Sequence, residues 1–337
     1  MGLKISNRRY IGGKSRILKN IEECIGRYNL GGFSFADIFG GTGVVADTFY
    51  LGGHDVIVND TLYSNYVAYQ TWMSGAEYNE AVIKEYLQAY NAIDATALDS
   101  NYFSDIFANK YYALGDAKKI GYIREDLEKN KDKINKQEYY IILTSLLYAA
   151  DRIANTCGHY ESFLNTAPQE QGIKLIEPEI NKVKQKSQIY CMDANKLVEK
   201  IKADVFYIDP PYNARQYVNF YHVLENLARW EKPTELEGNS MKFKRNNLKS
   251  AYSRSKAPEV FEDLITKINA KLIVVSYNNT YNARSGASNN KISIEQMESI
   301  LRKKGKVDVV GIDFNSFQAG KTDFKDHKEF LYLCEVR

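Results

Sequence analysis

Asp209-Pro210-Pro211-Tyr212 is the segment whose residue types and spacing point most directly to chemistry. It follows the apolar run 205–208 (VFYI), which reads as a strand. Two consecutive prolines remove two backbone donors and fix φ at both positions, so the turn is stiff and its carbonyls are left to accept hydrogen bonds. The exocyclic amine of an aminopurine is a poor nucleophile, because its lone pair is delocalised into the ring. An Asp209 carboxylate and a Pro210 carbonyl that accepted both amine protons would draw that nitrogen toward sp³ character and aim its lone pair at a methyl donor. The Tyr212 ring would stack on the base. Catalysis of this kind rests on positioning and preorganised acceptors, with no covalent intermediate. The same four residues also suit a β-turn that closes a strand and does nothing more.

Asp37-Ile38-Phe39-Gly40-Gly41-Thr42-Gly43 stands at a strand-to-helix turn. Glycines let backbone approach a ligand closely, and a helix N-terminus offers free N–H groups to a carboxylate or a phosphate. The spacing differs from G-x-G-x-x-G, and no Lys-Ser/Thr follows, which disfavours dinucleotide and NTP binding. A tight turn in any α/β protein would look the same. Asp60 ends the next strand about 20 residues on, where an acid can hold both ribose hydroxyls of a nucleoside cofactor; a helix N-cap is the alternative. Asp193 carries the same pair of readings, helix cap or acceptor for a cofactor's adenine amine. Near the N-terminus, Arg8-Arg9-Tyr10-Ile11-Gly12-Gly13-Lys14 is basic and glycine-containing, and equally suits a flexible leader before a helix.

The elements that must position these residues alternate. Strands are expected at 33–39, 54–59, 188–192, 205–208 and 271–276, each but the last running into an acidic or glycine turn, with a closing antiparallel pair at 306–312 and 329–336. Helical patterns follow at 44–51 and 62–72. This alternation argues for a mostly parallel α/β sheet, with ligands beyond the carboxyl ends of the strands. Residues 75–186 interrupt it with helical patterns at 78–92, 120–129 and 137–154, and are expected to form an inserted, mainly helical lobe on a domain made of 1–74 and 187–337.

With 337 residues, 44% of them hydrophobic, the chain can bury a full core and a smaller lobe. A net charge of +3 is too small to argue for nucleic acid by itself, so distribution must decide. Residues 242–256 hold Lys242, Lys244, Arg245, Lys249, Arg254 and Lys256 without one acid, which favours phosphate contact over a solvated loop; Tyr252 among them is a candidate to stack on a displaced base. Four scattered cysteines with no C-x-x-C pair read as reduced, mostly buried thiols, with no zinc site. No secretory leader and no apolar run of membrane length is present, and the Met1-Gly2…Ser6 myristoylation pattern is set aside; a soluble cytoplasmic protein is expected.

Taken in chain order, Tyr10-Ile-Gly-Gly-Lys14, Asp37-Ile-Phe-Gly-Gly-Thr-Gly43, Asn59-Asp60 and Asp209-Pro-Pro-Tyr212 resemble the Dam-like (alpha-group) N6-adenine DNA methyltransferases, type II modification enzymes among them. Asn213-Ala-Arg-Gln-Tyr217, Val275-Ser-Tyr-Asn278 and Lys328-Glu-Phe-Leu-Tyr332 look like that family too. The resemblance covers about 8–74 and 187–337. It implies a Rossmann-like S-adenosylmethionine-dependent methyltransferase fold, a mostly parallel seven-stranded sheet with a C-terminal hairpin. It implies that Tyr10, Lys14, Asp37, Asp60 and Asp209 contact S-adenosylmethionine, that Gly40 and Gly43 line its methionine end, and that Asp193 meets its adenine. Asp209, Pro210 and Tyr212 would receive an adenine flipped from double-stranded DNA, because N6 is inaccessible inside the stack. A cognate restriction endonuclease would act separately.

In the alpha-group order, target recognition falls in the 75–186 lobe. Arg152 and Asn155 are candidates for bidentate base contacts, against the alternative of a capped helix end with a buried Arg–Asp pair. Arg215 and Tyr217 join the DNA candidates, with Tyr217 or Tyr221 as further stacking partners. Competing readings are methylation of adenine in ribosomal RNA and a non-catalytic DNA-binding protein on the same fold. Cytosine N4 methylation usually goes with Ser at the position of Asp209, and protein glutamine methylation with Asn.

Overall fold

The computed structural model describes residues 2–281, 286–313 and 328–337. Two compact units make up the chain: Met1–Gly12 with Leu62–Lys182 and Val218–Asn247, and Gly13–Thr61 with Val183–Tyr217 and Leu248–Arg337.

The second unit is built on a seven-stranded sheet. Strands β1 (Phe35–Asp37), β2 (Val56–Asn59), β3 (Ser187–Tyr190) and β4 (Val205–Ile208) belong to it; β5 (Leu236–Glu237) and β6 (Lys242–Phe243) form a separate antiparallel ribbon in the first unit; β7 (Leu272–Asn278), β8 (Gly305–Asp313) and β9 (Lys328–Val336) complete the large sheet. The order is β3-β2-β1-β4-β7-β9-β8, parallel through β7, with β9 antiparallel to both neighbours. All strands expected from the sequence are present within a few residues, including the closing antiparallel pair. Strands β1, β2 and β4 are buried at every position, as parallel strands covered on both faces must be. One face packs Ala36, Ile57, Phe206, Ile208 and Val275 against Phe261, Leu264, Met297 and Leu301 of the helices Ala257–Lys267 and Ile294–Lys304.

Chain direction across the sheet reverses between β1 and β4: β2 and β3 extend one way from β1, while β7 lies beyond β4. That is a topological switch point, where the carboxyl ends of two strands leave a crevice between their diverging connections. Asp37 ends β1, and Asp209 directly follows β4.

The first unit holds the helices Glu80–Ala92, Tyr102–Phe107, Leu114–Lys129 and Lys136–Ile153, and takes in the helix Tyr63–Met73 and residues 218–247 as well. Tyr63–Met73 buries eight of its eleven residues, so it needs partners on every side; Thr71 Oγ1, for example, meets Thr144 Oγ1 at 2.8 Å and the Tyr140 carbonyl at 3.0 Å. The helix expected at 120–129 begins instead at Leu114. Glu170 accepts the Gly115 and Asp116 amides at its start, and Gly121 sits so close to Asn101 that a Cβ there would lie 1.9 Å from Oδ1. These are tertiary supports that local pattern does not carry.

Cys24 and Cys334 are buried, but Cys157 is exposed and Cys191 half-buried, so burial of the thiols is less general than expected. Among the described residues, no group of His, Cys, Asp or Glu is arranged to hold a metal, and no helix is long and apolar enough to cross a membrane.

Candidate active site

At the switch point, Lys14, Asp209, Tyr212 and Glu329 form one cluster, with Lys14 and Glu329 buried and Asp209 and Tyr212 half-buried. The Lys14 ammonium lies 2.8 Å from Asp209 Oδ2 and 3.4 Å from Glu329 Oε1, and donates to the Tyr212 hydroxyl at 3.0 Å. Tyr212 Oη is 2.5 Å from Asp209 Oδ1 and 2.5 Å from Glu329 Oε1. Ser276 Oγ on β7 donates to the same Glu329 oxygen at 2.6 Å. Burial raises the Asp209 carboxyl above the usual carboxylate range; Lys14 opposes that shift and Glu329 adds to it. The Pro-Pro turn is held from outside by hydrogen bonds to the Tyr212 carbonyl from Lys291 N (2.8 Å) and Tyr277 Oη (3.1 Å). The Tyr212 ring contacts Tyr277, centroids 4.5 Å apart.

The glycine turn closes beside it. Gly41 and Gly43 have φ of 54° and 84°, left-handed values that favour glycine. Gly40 N donates to the Asn59 carbonyl (2.8 Å), Gly41 N to Asp60 Oδ2 (3.0 Å) and Gly43 N to the Gly40 carbonyl (2.7 Å) before the helix Val44–Leu51 begins. Asp37 is 1% exposed, and its Oδ1 has no hydrogen-bond partner. Burial pushes its carboxyl up to about 8, reinforced by Asp209 and Asp60 and opposed by the Phe39 and Ala46 amides. A buried acceptor without a donor, with carboxylates in excess of the one ammonium, is an environment that calls for an additional cation.

The two aspartates with double readings separate. Asp60 is not the cap of the helix Tyr63–Met73; Leu62 stands at that N-cap with no side-chain cap, and Glu225 takes the Tyr63 and Ser64 amides at 2.8 and 3.0 Å. Asp60 instead braces the glycine turn. Asp193 does cap a helix, Ala194–Leu197, by accepting from Lys196 N at 3.1 Å, and it is exposed. Asn59, which enters the sequence reading only as part of a motif, proves structural. Its Nδ2 donates to the Ile38 and Met192 carbonyls (both 3.0 Å) and its Oδ1 accepts from Met192 N (3.0 Å), tying together the ends of three strands. Glu329 enters the sequence reading only within the segment Lys328–Tyr332, with no role of its own, as an acid at the head of the apolar run 330–334.

In the first unit, Tyr10 stacks on Tyr221 with centroids 4.6 Å apart and planes 2° from parallel; the Arg8 guanidinium lies over both rings. Tyr221 is fully buried and accepts from Ile11 N at 2.7 Å, so its ring is not presented to a base.

Several candidate DNA contacts are engaged within the protein. Asn155 spends its amide on the Lys110, Leu164 and Thr166 carbonyls, and Arg152 donates to the Lys174 carbonyl at 2.6 Å. At this helix end the buried Asp151 is met by the half-buried Arg9, whose backbone amide and guanidinium both reach its carboxylate. In the basic run, Arg245 is buried, bonded to Asn219 Oδ1 (2.5 Å), Glu237 Oε2 (3.1 Å) and the Phe243 carbonyl (2.8 Å). Lys242 pairs with Glu161 at 3.6 Å. Tyr252 is buried, donates to Asn195 Oδ1 at 2.7 Å and meets Phe39 edge-on. Glu161, distant in sequence, and Glu237, on the neighbouring strand β5, thus neutralise part of a run that holds no acid of its own. Lys244, Arg254 and Lys256 remain exposed and Lys249 half-buried. Arg215 is exposed too, while Tyr217 is half-buried, its phenol pushed up by burial and by Asp209, Glu329 and Asp60.

Comparison with known proteins places this arrangement among relatives. The family model of the D12 class N6 adenine-specific DNA methyltransferases matches residues 10–284. Modification methylase StsI of Streptococcus sanguinis is 34% identical over 92% of this chain and 49% of its own length. Type II methyltransferase M.NlaIII of Neisseria lactamica is 31% identical over 97% of this chain and 98% of its own. Type II methyltransferase M.FokI of Planomicrobium okeanokoites is 30% identical over 96% and 51%. The chain therefore spans about half the length of StsI and M.FokI and nearly all of M.NlaIII.

Proposed function

The chain belongs to the D12 class of N6 adenine-specific DNA methyltransferases, and from that premise we propose that it methylates N6 of an adenine flipped out of double-stranded DNA, with S-adenosylmethionine as donor, at one specific site sequence. It would act as the modification half of a restriction-modification system whose endonuclease works separately. The observation that carries this reading is the carboxylate-rich cluster at the switch point, with Asp37 Oδ1 lacking a donor and Asp209 held on a rigid Pro-Pro turn.

The donor set fits S-adenosylmethionine, which supplies a methyl carbon activated on a sulfonium. The orphaned Asp37 oxygen suits the methionine ammonium, and the backbone of Gly40 and Gly43 lets that end approach closely. Lys14 provides a cation for the methionine carboxylate. Asp60 offers its carboxylate to the ribose hydroxyls, and Asp193 the oxygen left over from its cap to the adenine amine. Tyr10 is a cofactor contact on family resemblance. Asp209 and the Pro210 carbonyl accept hydrogen bonds from the two N–H groups of the target amine, which localises the nitrogen lone pair; one of those protons departs by way of Asp209 once the N–C bond has formed. Tyr212 packs on the base and holds its plane. Extrusion of that base costs a few kcal/mol, which stacking in the pocket offsets. Phosphate contacts come from Lys244, Lys249, Arg254, Lys256 and Arg215.

The test uses the purified chain with methyl-labelled S-adenosylmethionine, offered duplex DNA and structured RNA in parallel, followed by digestion to nucleosides. Label in N6-methyldeoxyadenosine from the duplex is the expected result. Label only in RNA, or cofactor binding without any transfer, would overturn the proposal.

A further inference from the structure

Glu329 is a buried acid that the reaction above does not use. It is 3% exposed, yet three side chains converge on its Oε1: Tyr212, Ser276 and Lys14. A hydroxyl has one proton to donate. The Tyr212 hydroxyl nevertheless stands 2.5 Å from an oxygen of each of two carboxyl groups, and it also receives a hydrogen bond from Lys14. Its own proton can bridge only one of those contacts. The second contact needs a proton carried by the carboxyl pair, as when two carboxylates share a site and ionise one after the other.

We propose that Glu329 is a positioning residue of the reaction centre, which shares one proton with Asp209 across the Tyr212 hydroxyl, and that the singly protonated pair is the active form. The inference rests on the reading of Asp209 as acceptor for the target amine. With one shared proton, Lys14 and the two carboxyls are neutral together. One ionised acceptor then remains for the amine, and the Tyr212 hydroxyl has a partner in Glu329 to turn to when the amine takes Asp209 Oδ1. With both carboxyls ionised, they repel each other across one hydroxyl and compete for one ammonium, which draws Lys14 off Asp209.

The remaining groups facing the pair do not supply that proton. Ser276 Oγ already donates to Glu329. The Tyr207 and Tyr217 phenols are pushed up by burial and by these same carboxylates. Asp37 is itself pushed up to about 8 by burial and by Asp209, but its Oδ1 has no hydrogen-bond partner, so it bridges neither carboxyl of the pair. Lys328, next along β9, lies 3.8 Å from Asp313 and is half exposed.

Three variants and one spectroscopic measurement test this. Single-turnover methylation rate is measured against pH for wild type, Glu329→Gln, Glu329→Asp and Glu329→Ala, with KM for both substrates. Wild type should lose rate on an alkaline limb. Glu329→Gln, permanently neutral and of the same shape, should stay close to the wild-type rate at neutral pH and lack that limb. Glu329→Ala should fall on the order of tenfold in rate with little change in KM, the scale of one positioning hydrogen bond. Glu329→Asp should restore a limb. Infrared spectra of the protein without cofactor or DNA, in an Asp37→Asn background, should show a protonated-carboxyl stretch that disappears at alkaline pH and is altered by Glu329→Gln. An unchanged alkaline limb in Glu329→Gln, a rate as low as that of Glu329→Ala, or no such stretch at neutral pH overturns the inference. Absence of adenine methylation by wild type would sink the functional reading instead, and the infrared result would still decide the shared proton.

Discussion

Lys14 and Asp209 meet as a buried ion pair, Nζ to Oδ2 at 2.8 Å, with the lysine side chain 6% and the aspartate side chain 18% exposed. Removing one partner of such a pair leaves the other uncompensated, at a cost of about 3–5 kcal/mol. Lys14→Met should therefore destabilise the protein by about that amount near pH 8. The loss should shrink at low pH: the raised Asp209 pKa means the folded state takes up its proton readily as pH falls. Urea unfolding at pH 5 and pH 8 checks the direction, and equal losses at both would contradict it.

Asp209→Ala should abolish transfer, since the preorganised acceptor is lost; removal of one such group typically costs about 10²- to 10³-fold in rate. Single-turnover assays at saturating cofactor separate this from weakened binding. Residual activity near wild type would exclude Asp209 as the amine acceptor.

Asp37 supplies a pH signature. Its folded-state pKa, about 8, lies above the ordinary carboxylate value. Its contribution to stability is therefore complete below about pH 4 and is lost as pH rises through 8. Asp37→Asn should make the protein more stable than wild type at pH 9, by on the order of a few kcal/mol, and little different at pH 4. The same variant should bind S-adenosylmethionine more weakly. Calorimetric melting across this range, with cofactor titration, measures both; a pH-independent difference would remove the buried ionisation from the account.

Tyr212→Ala should slow transfer by about 10- to 100-fold, the worth of one base–aromatic stack. Tyr212→Phe keeps the ring and should stay within about tenfold of wild type. Cofactor affinity should change little in either. If cofactor binding falls in step with rate in Tyr212→Ala, the stacking role is wrong.

The basic run divides by burial. Neutralising Lys244, Arg254 and Lys256 together should flatten the logarithmic salt dependence of DNA binding by up to about 2.7, about 0.9 per phosphate contact. Arg245→Ala should instead leave that slope unchanged and cost about 2 kcal/mol of stability, because its hydrogen bonds are internal. Filter binding at several salt concentrations, with urea unfolding, distinguishes the two.

The sheet was legible because buried parallel strands are short continuous apolar runs. Three of them run into acids that serve different ends, Asp37, Asp60 and Asp209. Their convergence was legible from the same pattern, since strand ends at a switch point come together. What local pattern could not carry was pairing across the chain. Arg245 and Tyr252 looked available because the run 242–256 holds no acid; Glu237, just before it on β5, and Asn219 and Asn195 engage them in space. Asn155 read as a base-edge amide, yet three backbone carbonyls claim it. Glu329 escapes a local reading because its place depends on β9 lying next to β7, so that its carboxyl reaches Ser276.

The partners of Asp209 come from residue 14 and residue 329, on opposite sides of it along the chain. A ribosome releases them in order, so the Pro-Pro corner is translated before its acidic companion and lacks that partner until the last strand emerges. A polypeptide severed anywhere between 14 and 329 would likewise yield two pieces, each with an incomplete centre. Recovery of methyl transfer on mixing them would then report their reassembly.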